Sequence, residues 1–331
     1  MRSVRLHGTG NLQIHDEPVP VAGEGEQLVR VKSVGVCGSD LHWFSEGQIG
    51  DAKLEHPLVL GHEFAGITDD GQRVAIDPAI PCRRCEFCEH GNPNLCSSLI
   101  FAGHGKTDGG LREWVAWDKK SLFPIPDSLS DADGAMLEPL GVAIHAVDLG
   151  KLKAGMTVGV FGCGPIGLLI IQMAKLSGAA NIIATDKLAH RVDAAKRYGA
   201  SETFLIGEHS GLSAIGAAIN GRGVDVAFDA AGTQAAIDDA FTAVAPGGKV
   251  VLAGIPEDDR TSFSASTARR KGLTIKLVRR MKHTYPRAIE LVSKGLIDVR
   301  SIVTHRFPLE QAAEAFRVAE RREGLKIIID V

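Results

Sequence analysis

The stretch Val158-Gly159-Val160-Phe161-Gly162-Cys163-Gly164-Pro165-Ile166-Gly167 decides the fold of this chain of 331 residues. The apolar run before Gly162 predicts a buried strand, and the apolar run after Gly167 predicts a helix. Between them, the G-x-G-x-x-G pattern allows a tight turn, a close approach of backbone to a pyrophosphate, and close packing of the helix on the strand. The segment therefore predicts a dinucleotide-binding loop at a helix N-terminus. The candidate cofactor-binding residues are Gly162, Gly164, Pro165, Ile166 and Gly167.

Asp186 ends the next predicted strand, 19 residues after Gly167. A carboxylate at this position can accept hydrogen bonds from both ribose hydroxyls of NAD and would repel the 2′-phosphate of NADP. Asp186 can also cap the helix predicted over 187–198, and the two roles are compatible. Lys187 and Arg191 lie close by in the sequence and leave NADP as the second candidate, so the sequence favours NAD.

Strands and helices alternate from about residue 153 onwards. The predicted strands are 158–161, 182–185, 203–205, 224–228, 249–252 and 274–278. Joined by right-handed crossovers, six such strands form the open parallel sheet of a doubly wound α/β domain. We expect the strand 249–253 to lie at the edge of this sheet, where it and the Arg-rich segment that follows could pair subunits.

The residues before this domain form shorter, alternating runs broken by prolines, which is typical of a β-rich barrel or sandwich with long loops. Its predicted strands include 28–34, 73–76 and 111–116. The tail has helical stretches at 286–294 and 309–320 and a final strand at 326–330. We therefore predict a catalytic domain over 1–149, a nucleotide-binding domain over 150–285, and a return of residues 286–331 to the first domain.

The composition disfavours several classes of protein. The chain has 37 Lys and Arg against 40 Asp and Glu, and only 5% aromatic residues, which disfavours a nucleic-acid partner. It has no run of about 18 apolar residues that could span a bilayer, and residues 1–7 lack the apolar region of a secretory signal. We expect a cytoplasmic protein with a small-molecule substrate, in which the six cysteines do not form a disulfide framework and the clustered ones are metal ligands or catalytic groups.

Four cysteines lie within one 15-residue loop, at Cys82, Cys85, Cys88 and Cys96. Four thiolates at this spacing can close a tetrahedral zinc site with no open position, which indicates a structural role. A zinc ribbon that binds nucleic acid would have the same ligands. The surrounding residues disfavour it, because the loop mixes arginines with glutamates and lies inside a larger domain.

A second group of candidate metal ligands is dispersed. Cys37 follows a predicted strand, and His62 and Glu63 come 25 and 26 residues later. Taken alone, each residue has an ordinary structural explanation. Together, a thiolate, an imidazole and a carboxylate form a plausible zinc site with one position left for substrate or water. Glu138 could supply a further carboxylate.

In this order the motifs resemble those of the zinc-dependent medium-chain dehydrogenase/reductase family, and within it most closely the sorbitol (polyol) dehydrogenase branch. The motifs are Gly35-Val36-Cys37-Gly38-Ser39-Asp40-Leu41-His42, Gly61-His62-Glu63, the four-cysteine loop, Glu138-Pro139-Leu140, the glycine loop and Asp186. The resemblance covers essentially the whole chain. It implies a GroES-like catalytic domain, a Rossmann nucleotide-binding domain, two zinc ions per chain, NAD as cofactor, and a homo-oligomer, either a tetramer or a dimer.

The resemblance also implies roles for single residues. Cys37, His62 and Glu63 match the ligands of the catalytic zinc, and Glu138 matches a position that binds this zinc either directly or through water. Ser39 and His42 match the family's catalytic proton relay. Arg191 matches an arginine at the adenosine end of NAD.

By this resemblance, the chain oxidises a secondary alcohol of a polyol to the ketose by reversible hydride transfer. The candidate substrate residues are Trp43, Arg279 and Arg280, and they depart from the branch: Trp43 replaces a tyrosine, and Arg279-Arg280 replaces an Arg-Tyr pair. A guanidinium there could instead bind the carboxylate of a sugar acid, as in an L-idonate 5-dehydrogenase. The sequence leaves three further functions open: an L-threonine 3-dehydrogenase, a zinc-free NADP-dependent reductase, and an NAD-binding protein without activity.

Overall fold

The computed structural model describes residues 1–207, 215–216, 221–256 and 258–331. The chain divides into two compact units. Unit 1 comprises Met1–Gly141 and Lys282–Val331, and unit 2 comprises Val142–Met281. The predicted domain boundaries, after residues 149 and 285, lie a few residues beyond the unit boundaries after Gly141 and Met281. The domain limits stay predictions.

The strands lie throughout both units. They are β1 (Arg2–Leu6), β2 (Leu12–Asp16), β3 (Glu26–Gly35), β4 (Gln48–Ile49), β5 (Ala52–Lys53), β6 (Leu58–Val59), β7 (Glu63–Thr68), β8 (Arg73–Ile76), β9 (Ala79–Ile80), β10 (Ile100–Phe101), β11 (Trp114–Asp118), β12 (Leu122–Pro124), β13 (Thr157–Phe161), β14 (Asn181–Asp186), β15 (Glu202–Leu205), β16 (Val224–Asp229), β17 (Val244–Leu252), β18 (Thr274–Leu277), β19 (Val303–Pro308) and β20 (Lys326–Asp330).

The helices are mostly short in unit 1 and longer in unit 2. Those with described bounds are α1 (Gly38–Glu46), α2 (Glu86–Glu89), α3 (Asp131–Ala135), α4 (Leu137–Gly150), α5 (Pro165–Leu176), α6 (Ala189–Arg197), α7 (Gln234–Ala243), α8 (Ala265–Lys271), α9 (Tyr285–Ser293) and α10 (Ala312–Glu320).

Unit 1 is built around the long strand β3. A seven-stranded sheet has the order β12-β8-β7-β3-β20-β19, and β11 also pairs with β3. The C-terminal strand β20 pairs antiparallel with the end of β3, with Ile328 opposite Gly35. The sequence predicted β8 with the observed bounds and β3 to within two residues at each end. The sequence analysis started β11 three residues too early, at Leu111 instead of Trp114, because it counted the apolar Leu111 as part of the alternating run.

Unit 2 contains a six-stranded parallel sheet with the order β15-β14-β13-β16-β17-β18. In chain order this is 3-2-1-4-5-6, the doubly wound arrangement of a dinucleotide-binding domain. The prediction of an α/β fold with a β-rich domain and a Rossmann domain is therefore confirmed. The prediction that the strand 249–253 forms the sheet edge is wrong: β17 pairs with both β16 and β18, so β18 is the edge strand.

Two further properties follow from the described residues. None of their helices is both long and apolar enough to cross a membrane. All six cysteines lie in the described part of the chain, and each is a free thiol. The thiols are therefore available as metal ligands.

Candidate active site

The four-cysteine loop brings its thiols together in unit 1. The sulfur atoms of Cys82, Cys85, Cys88 and Cys96 all lie within 4.8 Å of one another. The backbone N–H of Arg84 holds the pKa of Cys82 down to about 6, whereas burial and then Cys85 raise the pKa of Cys88 to about 12. Four sulfurs at this separation fit a closed tetrahedral Zn²⁺ site, since the ion replaces the thiol protons.

The dispersed ligand group also converges, and the pairing of β3 with β7 explains how. In the register of these strands Gly35 lies opposite Glu63, so the end of one strand meets the start of the other. A Cβ atom on Gly35 would overlap the Glu63 carboxylate, and this is why the position is a glycine. Cys37 follows β3 directly, and one ligand atom each from Cys37, His62 and Glu63 lies within 4.8 Å of the others.

Asp40 holds two of these ligands in place. Its carboxylate lies 3.3 Å from Nδ1 of His62, and it accepts the backbone N–H of Cys37 at 3.0 Å. Burial disfavours the charged imidazole, but the charges of Asp40 and then Cys37 outweigh burial and hold the pKa of His62 well above its usual value. A carboxylate behind a metal-binding histidine fixes the ring orientation and tautomer, so Asp40 prepares His62 for a metal.

Lys326 neutralises the third ligand. Its ammonium group forms an ion pair with the Glu63 carboxylate, and it donates to the carbonyl of Val36 at 2.9 Å. Both side chains are almost completely buried. Burial lowers the pKa of Lys326, but the negative charges of Glu63 and Cys37 raise it by more. The charge of the Glu63 carboxylate is thus partly balanced before any metal binds.

Glu138 is buried near this group but is not part of it, since the set of atoms within 4.8 Å of one another contains Cys37, His62 and Glu63. Burial raises the pKa of Glu138 to about 8, and the repulsion of Glu63 adds to the rise while His62 opposes it. Burial therefore favours the protonated form of this carboxyl group in the absence of metal.

Helix α1 carries the predicted proton relay and one predicted substrate residue. Ser39 and His42 are three residues apart and thus share a helix face. Nδ1 of His42 lies 2.9 Å from the Glu46 carboxylate, and 16% of its side chain is exposed. Trp43 is buried, and its ring packs edge-on against that of His104 with 5.6 Å between centroids.

The predicted dinucleotide loop has the expected geometry in unit 2. Gly162 has a φ of +99°, and Gly164 directly precedes α5. A Cβ atom on Gly167 would overlap the carbonyl oxygen of Gly162, so helix and strand can pack this closely only with glycine. Pro165 is the first residue of α5, where its missing N–H costs nothing. The loop leaves the helix N-terminus open to a phosphate.

Asp186 and Arg191 lie at this loop. The Asp186 carboxylate accepts the backbone N–H of Cys163 at 2.7 Å and that of Leu188 at 2.9 Å. Leu188, not Asp186, is the N-cap residue of α6, which starts two residues later than predicted. Nη1 of Arg191 lies 3.5 Å from the position of a Cβ atom on Gly164. The chain thus provides a fixed carboxylate and a guanidinium at the glycine loop.

The two candidate substrate arginines lie just after the last strand of the parallel sheet. Strand β18 ends at Leu277, so Arg279 and Arg280 lie in the segment after the strand. Arg279 is exposed, and Arg280 is partly exposed with a φ of +55°. Their contact with substrate stays a prediction. Lys282 lies in unit 1, where it donates to the side chain of Asn92 at 2.7 Å.

The sequence analysis missed Asp40 and Lys326. Asp40 had a local signal, because it is the third residue of helix α1. An acidic side chain at that position can accept the backbone N–H of the residue that precedes the helix and so cap it. Lys326 had only a weak signal, a lysine at the start of the apolar strand 326–330. Its partner is far away in the sequence, and the pairing of β20 with β3 brings them together.

Comparison with known proteins agrees with this site. Residues 23–127 match the family model "Alcohol dehydrogenase GroES-like domain", and residues 165–294 match the model "Zinc-binding dehydrogenase". The chain is 37% identical to the sorbitol dehydrogenase of Bacillus subtilis (strain 168), covering 99% of this chain and 97% of that protein. It is 36% identical to the probable D-xylulose reductase A of Emericella nidulans, covering 98% and 94%. The chain therefore belongs to the zinc-binding dehydrogenase family.

Solved structures of similar proteins share the fold over the full length. The L-idonate 5-dehydrogenase of Escherichia coli has a TM-score of 0.91 at 26% identity, covering 100% of this chain and 98% of that one. An alcohol dehydrogenase of E. coli CFT073 complexed with NADH has a TM-score of 0.91 at 30% identity, with 100% and 99% covered. A zinc-binding dehydrogenase of Sinorhizobium meliloti bound to NADP has a TM-score of 0.87 at 29% identity, with 100% and 99% covered.

Proposed function

We propose that this chain oxidises a secondary hydroxyl of a neutral polyol to the ketone, reversibly, with zinc and NAD. The observation that carries the proposal is the convergence of Cys37, His62 and Glu63 on one point beside the buried Glu138. The similarity to proteins named sorbitol dehydrogenase and D-xylulose reductase supports a polyol and its ketose as the substrate pair.

The residues of unit 1 have separate tasks in this reaction. When bound, Zn²⁺ lowers the pKa of the substrate hydroxyl and NAD⁺ accepts the hydride. Cys37, His62 and Glu63 would hold the metal, and Asp40 keeps His62 oriented through the contact at 3.3 Å. The second zinc, held by Cys82, Cys85, Cys88 and Cys96, stabilises the loop and takes no part in the chemistry.

Ser39 accepts the proton that leaves the substrate hydroxyl as it releases its own hydroxyl proton towards His42. His42, one turn further along α1, passes it to water, since its ring is partly exposed and its Nδ1 is held by Glu46. A positioned acid–base group of this kind typically contributes about 10²- to 10⁴-fold in rate. The test is Ser39→Ala, which should retain two zinc ions per chain by elemental analysis while kcat for sorbitol falls by about 100-fold. Unchanged turnover would remove Ser39 from the relay.

The cofactor preference follows from Asp186. Its carboxylate is fixed by two backbone N–H groups at the end of β14, where it would accept the ribose hydroxyls of NAD and repel a 2′-phosphate. The positive charge of Arg191 at the same loop could accommodate a 2′-phosphate, so NADP is the second, less favoured cofactor. Steady-state kinetics with both cofactors check this, and Asp186→Ser should raise kcat/KM for NADP relative to NAD.

A sugar acid is the second candidate substrate. The similarity to the L-idonate 5-dehydrogenase favours it, together with the exposed guanidinium of Arg279. Rates on sorbitol, xylitol, L-idonate and L-threonine with NAD⁺ under zinc-replete conditions separate the candidates. A sugar-acid substrate would also require Arg279→Ala or Arg280→Ala to raise KM for L-idonate and leave KM for sorbitol unchanged.

We also propose that the protein is a cytoplasmic homo-oligomer. Zinc binding by thiolates requires the reduced cysteines that this compartment maintains. The edge strand β18 exposes Leu277 to 72%, and an open strand edge can pair with that of a second copy across a twofold axis. Light scattering after gel filtration measures the oligomer, and Leu277→Lys should shift a dimer or tetramer towards smaller species.

A further inference from the structure

A loop that the reaction has not used lies against the catalytic ligands. In the segment 101–110, Gly110 donates to the carbonyl of Gly61 at 2.7 Å, and Gly109 donates to that of Val59 at 2.7 Å. Gly103 approaches the same backbone so closely that a Cβ atom would lie 3.2 Å from the nitrogen of Gly61. Because Gly61 directly precedes the ligand His62, the segment 101–110 is fixed relative to the metal site.

Two ring contacts fix the same loop from its side chains. The ring of Phe101 packs on that of His62, with 5.3 Å between the centroids. Three residues later, the ring of His104 packs edge-on against Trp43, with 5.6 Å between the centroids. Trp43 lies one helical turn after Ser39 on α1. His104 is therefore held between the element that carries a metal ligand and the helix that carries the proton acceptor.

The backbone around His104 is a tight turn. His104 and Thr107 exchange backbone hydrogen bonds at 3.2 and 3.1 Å, and the neighbouring residues Gly103 and Gly105 have φ values of +70° and +59°. The turn is thus built from backbone hydrogen bonds and glycine conformations, which present the histidine side chain at a fixed place. His104 itself is partly exposed.

We propose that His104 is a substrate-binding residue that selects polyols over monohydric alcohols. A neutral imidazole has one donor and one acceptor nitrogen, and it can hydrogen-bond a hydroxyl group in either direction. From this position, His104 would bind a hydroxyl beyond the reacting carbon, while the zinc ligands and Ser39 act on the reacting hydroxyl. The inference rests on the proposed function and names the residue that recognises its substrate class.

The experiment compares two substrates in one holoenzyme. Sorbitol has further hydroxyl groups, whereas 2-butanol offers only the reacting one. We expect His104→Ala to raise KM for sorbitol by about 3- to 10-fold, the usual effect of one lost hydrogen bond. KM and kcat for 2-butanol should change by less than about twofold, since 2-butanol has no further hydroxyl group that could lose a hydrogen bond to His104. His104→Asn, which keeps a donor and an acceptor, should recover part of the loss.

The control is His56→Ala, because His56 is an exposed histidine outside the site. It should leave both substrates unchanged. An equal loss on sorbitol and 2-butanol would overturn the inference, since His104 would then only shape the metal site. An unchanged KM for sorbitol in both His104 variants would overturn it as well. Failure of the unmodified enzyme on sorbitol and xylitol, with turnover of 2-butanol, would instead reject the proposed function itself.

Discussion

Asp40 joins three parts of the site at the scale of a single residue. It accepts the N–H groups of Cys37 at 3.0 Å and Gly61 at 3.3 Å, and it contacts the ring of His62. Loss of a partner that orients a metal ligand typically costs 10- to 100-fold in metal affinity. We therefore expect Asp40→Asn to bind the catalytic zinc about 10- to 100-fold more weakly, measured by competition with a chelator.

Asp51→Asn is the control for this change, because Asp51 is an exposed acid outside the ligand group. Its zinc affinity should equal that of the unmodified chain. If Asp40→Asn had the same affinity, the carboxylate would only cap helix α1, and its contact with His62 would have no role in metal binding.

Lys326 is the second residue whose charge the site requires. Removal of one partner from a buried ion pair usually costs about 3 to 5 kcal/mol, since the other charge is left without compensation. In Lys326→Met, the Glu63 carboxylate loses its ammonium partner, but a bound Zn²⁺ can still neutralise it. We therefore expect the free energy of unfolding to fall by about 3 kcal/mol without zinc and by clearly less with zinc.

Denaturant unfolding with and without zinc measures this difference. Lys294→Met removes a lysine from an exposed pair with Glu290 and should change the stability by less than about 0.5 kcal/mol in either state. A loss in Lys326→Met that is equal with and without zinc would argue against Glu63 as a zinc ligand.

The glycine loop shows how a single element is specified. Because a Cβ atom on Gly167 would overlap the carbonyl oxygen of Gly162, the substitution Gly167→Ala must push α5 away from β13. We expect NADH binding to weaken by at least about tenfold, with a stability loss of about 1 to 3 kcal/mol, the usual cost of overpacking. NADH fluorescence titration and thermal unfolding measure the two effects.

Gly207→Ala in the same unit is the matched variant, because a Cβ atom on Gly207 meets nothing within 4 Å. NADH binding should be unaffected there. A similar loss in both variants would indicate that the effect comes from general destabilisation of unit 2 rather than from the loop.

At this scale most of the architecture could be predicted, because its signals are local. The first strand of the parallel sheet, β13, is a mostly apolar run, and the loop at Gly162 that follows it is a contiguous motif. The position of β18 at the sheet edge could not be predicted in this way. The predicted segments 249–252 and 274–278 are both short strand-forming runs, and only the pairing of β17 and β18 shows which strand lies outside.

For the whole molecule, the two metal sites differ in how much the sequence reveals. Cys82 to Cys96 form one loop, so the spacing alone predicts the closed site. Cys37 and the pair His62-Glu63 meet only because β3 and β7 pair with Gly35 opposite Glu63. The residue types made this group a plausible zinc site, and the resemblance to known dehydrogenases gave it the catalytic role. Lys326 depends on a strand from the opposite end of the chain and was missed.

The difference between the sites predicts two classes of zinc in the intact protein. Four thiolates enclose the ion completely, whereas the group of Cys37, His62 and Glu63 supplies three protein ligands and leaves a position open to a chelator. Brief treatment with 1,10-phenanthroline should therefore remove about one zinc per chain and abolish turnover, while the melting temperature changes little. Elemental analysis, activity and thermal unfolding of the same samples check this, and added Zn²⁺ should restore activity.

Cys85→Ser should have the opposite pattern, in which the melting temperature falls first and activity is lost only as the chain unfolds. Activity that persists after one zinc is removed, or a single class of zinc lost together with the fold, would contradict the assignment of one catalytic and one structural ion.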